Sequence, residues 1–143
     1  MLKRSVRAVV LFFSLITLVA SINAQGTQRF KVDVPFQFIL NGQTLTAGIY
    51  TIERTDPAKP NIITLKKVGG RIVRLVLTQR VEKDNPSTAS SLIFVRREEK
   101  YYLCQVWNVG SMNGSEIPSA YEGERSDRQR KDLTLVTLKA KRN

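Results

Sequence analysis

An apolar residue stands at every even position from Phe30 to Leu40, in the run RFKVDVPFQFIL at 29–40, with polar or turn-forming residues at most odd positions. A period of two sends side chains alternately to the two faces of an extended chain, so this run presents one apolar face of a β-strand. No other feature restricts the fold as strongly, because such a face needs a second apolar layer to cover it. The spacing predicts a strand over 30–40 whose even face packs on the inner faces of the fourth and sixth strands. Pro35 inside it predicts a sheet edge or a bulge, since proline donates no ladder hydrogen bond.

Asn41-Gly42-Gln43 predicts a hairpin turn, as Asn and Gly tolerate positive φ. A return strand is expected over 47–54 with Tyr50 and Ile52 on one face, ended by Pro57 and Pro60. A third strand follows over 61–67, then a turn at Val68-Gly69-Gly70-Arg71. A fourth, over 72–81, alternates Val73, Leu75, Leu77 and Val81 inward against Arg74, Thr78 and Arg80 in water. The polar segment 82–91 reads as a loop. Strands over 92–97 and 100–108 flank the charged hairpin Arg97-Glu98-Glu99-Lys100. Residues 110–115 read as flexible and 120–131 as a solvated helix or disorder, so 110–131 forms a loop and charged segment, and 132–140 a closing strand. Short strands between turns at this spacing predict an all-β fold, a single antiparallel β-sandwich or small barrel of about seven strands.

The first 24 residues read as a signal peptide: Lys3, Arg4 and Arg7 precede an apolar run over 8–20, with a cleavage site after Ala24. That run is shorter than the roughly twenty residues a membrane span needs and suits a signal peptide. The expectation is an exported chain, periplasmic or secreted, that starts at Gln25 and has no transmembrane span. Residues 25–143 then form one β-domain. With a single cysteine, Cys104, it can form no intrachain disulfide and must rely on packing.

Removing the three basic signal residues from 23 leaves 20 Lys and Arg against 12 Asp and Glu. The excess favours anionic partners. In an exported chain these are envelope polymers and polysaccharides before they are nucleic acid, so no nucleic acid is expected. The cluster Arg125, Arg128, Arg130 and Lys131, with Lys139, Lys141 and Arg142, is open to two readings: a binding surface for an anionic polymer, or a solvated tail that keeps the protein soluble.

The chain contains no histidine, which removes the commonest general base, the commonest zinc ligand and every Ser-His or Cys-His arrangement. One cysteine cannot build a structural zinc site. Asp84 with Asn85, or Glu98 with Glu99, lacks calcium-loop spacing, and nothing pairs Glu53, Glu82, Glu98 or Glu116 for glycoside hydrolysis. Gly69-Gly70 lacks the rest of a phosphate loop. A non-catalytic protein without cofactor or metal is expected. Cys104 reads as a small buried hydrophobe in strand parity with Tyr102 and Val106, the alternatives being an intermolecular disulfide or a reactive thiol. Tyr101, Tyr102 and Trp107 read either as a carbohydrate-stacking platform, carried chiefly by Tyr101 and Trp107, or, for Trp107, as core beside Leu103.

Three segments carry a resemblance: Val34-Pro35-Phe36-Gln37-Phe38, Leu45-Thr46-Ala47-Gly48-Ile49-Tyr50, and the hairpin from Phe94 through Tyr101 and Leu103 to Trp107. Together they resemble a family of small exported bacterial all-β proteins without an assigned activity, with Thr46 standing where proline is expected. The resemblance implies an all-β fold and export and adds no functional residue. The leading expectation is therefore an exported β-domain that binds an anionic envelope or extracellular polymer. The alternatives are a carrier of a small apolar ligand between the sheets, and a subunit that lends an edge strand to an envelope assembly.

Overall fold

The alternating run at 30–40 divides at Pro35, and its two halves enter different sheets. In the computed structural model, which describes residues 28–54, 56–71, 73–121 and 133–141, strand β1 (Gln28–Val34) pairs antiparallel with β4 (Gly48–Arg54). Strand β2 (Phe38–Leu40) pairs instead with β3 (Gln43–Leu45) and, in parallel, with β9 (Lys100–Trp107). The remaining strands are β5 (Ile62–Lys67), β6 (Val73–Leu77), β7 (Gln79–Glu82), β8 (Ser91–Arg97), β10 (Asn113–Glu116) and β11 (Thr134–Lys139). They form a four-stranded sheet, β1-β4-β5-β6, and a seven-stranded sheet, β11-β8-β9-β10-β7 with β2 and β3 attached. The sheets pack face to face as an all-β sandwich. Residues 1–24 and the segment 125–131 lie outside the described residues.

Among the described residues, eleven strands replace the expected seven, because two long strands change sheets midway and two segments pair unexpectedly. The chain leaves one sheet at Pro35 and again at Thr78, between β6 and β7, where the Asn61 carbonyl accepts from the Thr78 amide at 2.7 Å and hydroxyl at 3.1 Å. The Asn41-Gly42 turn forms as predicted, with both residues at positive φ, 49° and 74°. The segment read as flexible instead holds β10, seated between β7 and β9.

Fifteen buried apolar side chains fill the space between the sheets, among them Val32, Val34, Phe38, Tyr50, Leu65, Phe94 and Leu103. The rings of Phe36, Phe38, Tyr50 and Phe94 meet edge to face with centroids 5.2–5.3 Å apart. The Tyr50 hydroxyl donates to the Thr46 carbonyl at 2.6 Å. At about 1.5 to 3 kcal/mol per large apolar side chain, this core holds the domain without a staple.

Two readings of side-chain direction are overturned. The fourth strand was expected to bury Val73, Leu75 and Leu77, yet these are 49%, 72% and 65% exposed, and Val76 points inward at 1%. Directly opposite residues of an antiparallel pair share a face. β6 lies with Val76 opposite Ile63, so its single inward valine joins the inward face of β5 and its odd positions turn outward. On β9 the parity breaks at a bulge: Ile93 pairs with Gln105 but Phe94 with Leu103, leaving Cys104 as the extra residue. Leu103 and Val106 therefore face the core, while Cys104 and Trp107 lie on the outer face. Trp107 is buried, but not beside Leu103 between the sheets.

Candidate anion-binding site

Strand β4 sends Tyr50, Ile52 and Arg54 to its inner face in turn, and with Arg54 it runs out of core to enter. At this end of the sandwich, beside the crossover at Thr78, lies a cleft of about 260 Å3 lined by Arg54, Asn61, Thr78, Arg80, Asn113 and Ser115, with Pro60 and Gly114 among its walls. Arg54 Nη2 donates to Ser115 Oγ at 2.9 Å, and Nη1 to Gln28 Oε1 at 3.3 Å. Its Nε is buried with no hydrogen-bond partner. Arg80 is held differently: Nη2 lies 2.7 Å from Glu82 Oε1, and Nε donates to Asn113 Oδ1 at 3.1 Å.

Among the described residues, no carboxylate pairs with Arg54. A buried donor left unpaired costs about 1 to 3 kcal/mol. A guanidinium presents its N–H groups as a planar fork that matches carboxylate and phosphate oxygens. The cleft can therefore take one small anionic group, with Arg54 as the charged donor and the neutral side chains of Asn61, Thr78 and Ser115 around it.

The residues singled out in the sequence fall elsewhere. Arg125, Arg128, Arg130 and Lys131 lie outside the described residues. Tyr101 and Trp107 do not form one platform: they sit six residues apart on β9, about 20 Å along an extended strand, and face opposite ways. Tyr101 stacks on Phe36, centroids 3.9 Å apart at 16°, against the core. Trp107 lies flat on Gly114, where a Cβ would come within 2.8 Å of the indole. Above the ring sits Lys83 Nζ, 4.5 Å from the centroid, and the indole N–H donates to Gln105 Oε1 at 3.0 Å. The ring is 5% exposed, with both faces engaged.

Cys104 is fully buried in a second small apolar cluster with Val95, Ala120 and Tyr121, on the outer face of the seven-stranded sheet. A single 3-10 turn, Pro118–Tyr121, lies over it. Its thiol donates to the Ile93 carbonyl at 3.1 Å, and burial pushes its pKa up to about 11. Burial likewise raises the Tyr121 hydroxyl. Of the carboxylates, Glu53 is buried between Arg29 and Lys66, Glu82 holds Arg80, and Glu98 sits in the β8–β9 turn at positive φ. Among the described residues, no three His, Cys, Asp or Glu side chains gather where a metal could be held, and no helix is long and apolar enough to cross a membrane.

Sequence reasoning missed Arg54 as a site because its cleft is assembled from four separate stretches, around residues 54, 60–61, 78–80 and 113–115. The one signal available was parity, since Arg54 follows Tyr50 and Ile52 on the inward positions of its strand. Comparison of the chain with protein-family models, with curated proteins and with solved structures finds no match.

Proposed function

We propose that this chain is an exported, non-catalytic β-domain of the periplasm or extracellular space that binds an anionic polymer of the envelope or its surroundings. The observation that carries the reading is Arg54, a half-buried guanidinium that lines the cleft and has no carboxylate partner among the described residues. A sugar carboxylate, phosphate or sulfate would accept from the Nη hydrogens that Gln28 and Ser115 leave unused. The basic excess of the whole chain draws such a polymer in, and the cleft gives one of its charged groups a fixed seat.

The test is retention of the exported protein on immobilised polygalacturonate and on heparin across a salt series. Arg54→Gln is expected to weaken retention by about tenfold or more, as hydrogen bonds to a charged group are worth roughly 1.5 to 3 kcal/mol. The comparison is the quadruple variant Arg125→Gln, Arg128→Gln, Arg130→Gln and Lys131→Gln. Loss in the quadruple variant with Arg54→Gln unaffected moves the site to the basic cluster, and equal retention in all three proteins overturns the reading.

A further inference from the structure

Five of the eight large hydrophobic side chains exposed among the described residues lie on one surface, the outer face of the four-stranded sheet: Ile49, Val68, Val73, Leu75 and Leu77. The pairing register lays them out. Leu77 is opposite Ile62, Leu75 opposite Thr64 and Val73 opposite Lys66. The Val68 amide donates to the Ile49 carbonyl at 2.8 Å, which joins the strip to the next strand. The result is an apolar strip along the edge strand β6 that turns across β5 to β4.

Positive charge borders the strip. Across the same face the register runs Arg29, Glu53, Thr64, Leu75 and, one row on, Lys31, Thr51, Lys66, Val73. The buried Glu53 carboxylate is held by both Arg29 and Lys66, so that trio keeps a net positive charge. Beyond Lys31 a recess of about 380 Å3 opens, lined by Arg29, Phe30, Lys31, Asp33, Ile49 and Lys141. Three cations and one carboxylate surround it. Lys31 is three strands from Val73, about 14 Å across the sheet.

A second copy on this face would bring like charges together. A purely polar polymer would satisfy the cations and leave Leu75 and Leu77 in water. An anionic amphiphilic surface meets both halves, with phosphate against the cations and acyl chains against the strip. We propose that the outer face of the four-stranded sheet docks on an anionic lipid bilayer, with Val73, Leu75 and Leu77 at the headgroup–acyl boundary and a lipid phosphate in the Arg29, Lys31 and Lys141 recess. This rests on a different face from the Arg54 cleft and stands or falls separately from it.

The exported protein is mixed with vesicles of phosphatidylcholine alone and with vesicles containing phosphatidylglycerol, and binding is read by co-flotation. Binding is expected on the anionic vesicles and absent on the neutral ones. The double variant Leu75→Gln, Leu77→Gln should lower partitioning by about tenfold or more, and Lys31→Gln with Lys141→Gln should lower it and flatten its salt dependence. Both variants change exposed side chains, so an unchanged melting curve shows them folded. As a direct reading of depth, Leu75→Cys is labelled with a polarity-sensitive dye, which the buried Cys104 does not take up, and its emission should shift blue on anionic vesicles. No flotation of the wild type, or equal flotation of the leucine variant, overturns the proposal. So does a dimer in light scattering that the leucine variant dissolves, which would assign the strip to a second copy.

Discussion

The outer faces of the two sheets carry the same kinds of side chain and meet different fates. On the seven-stranded sheet, Val95, Cys104 and Tyr102 project outward and are roofed by the 3-10 turn with Ala120 and Tyr121, while Trp107 is pressed on Gly114 beneath Lys83. On the four-stranded sheet, Val73, Leu75 and Leu77 project outward and are roofed by nothing among the described residues. The charge at the middle of that face is ionic, a buried Glu53 held by the more exposed Arg29 and Lys66. One outer face is thus a second, smaller core, and the other is a surface with charge at its centre and an apolar margin. Alternation alone does not distinguish them. Whether the chain returns over a sheet does.

The contrast makes three predictions of decreasing size. Trp107→Ala removes the largest side chain from the covered face and should cost about 3 to 5 kcal/mol in denaturant unfolding, enough to threaten a domain of ordinary stability. A loss below about 1 kcal/mol would mean that this face is not a core at all.

Glu53→Gln tests the ionic centre of the uncovered face and should cost about 1 to 3 kcal/mol at neutral pH. Lys66 above all, with Arg29, holds the Glu53 carboxyl below its ordinary pKa of 4.5. A carboxyl whose folded pKa is depressed contributes stability that is fully present above its unfolded pKa and is lost as pH falls through the folded value. The gap between wild type and variant should therefore stay constant from pH 7 down to about 4.5 and close below it, as read from melting curves. A gap that is unchanged at pH 2 would show that Glu53 acts by shape and not by charge.

The smallest effect belongs to the apolar margin. Leu75→Thr should change stability by no more than about 0.5 kcal/mol, since the side chain is 72% exposed and threonine suits a strand. A larger loss would mean that this face is covered too and would dissolve the contrast between the sheets.

Much of the architecture was readable in the sequence because it is local. The Asn41-Gly42 turn and the charged Glu98-Glu99 turn depend on residues within a few positions of one another, and each lies in the structure as a hairpin, while the period of two at 30–40 lies there as two strands, β1 and β2. The all-β class follows from summing such units. Cys104 is buried as expected, but the parity with Val106 on which that reading rested is broken by the bulge, so its cover is the outer cluster and not the core.

What only the tertiary structure decided is which face each side chain takes and what lies opposite it. Val73, Leu75 and Leu77 alternate as cleanly as Val32 and Val34, but pairing with β5 turns the first three to water. A single bulged residue, Cys104, reverses the parity of β9 and carries Trp107 out of the inter-sheet core. Pro35 told of a break, and only the pairing of β2 with β9 told that the break is a change of sheet. Arg54 became a site because four distant stretches meet around it. The physical reason is common to all of these: a strand's sequence fixes the period of its side chains, whereas their direction is fixed by register, and register is set by partners far away in the chain.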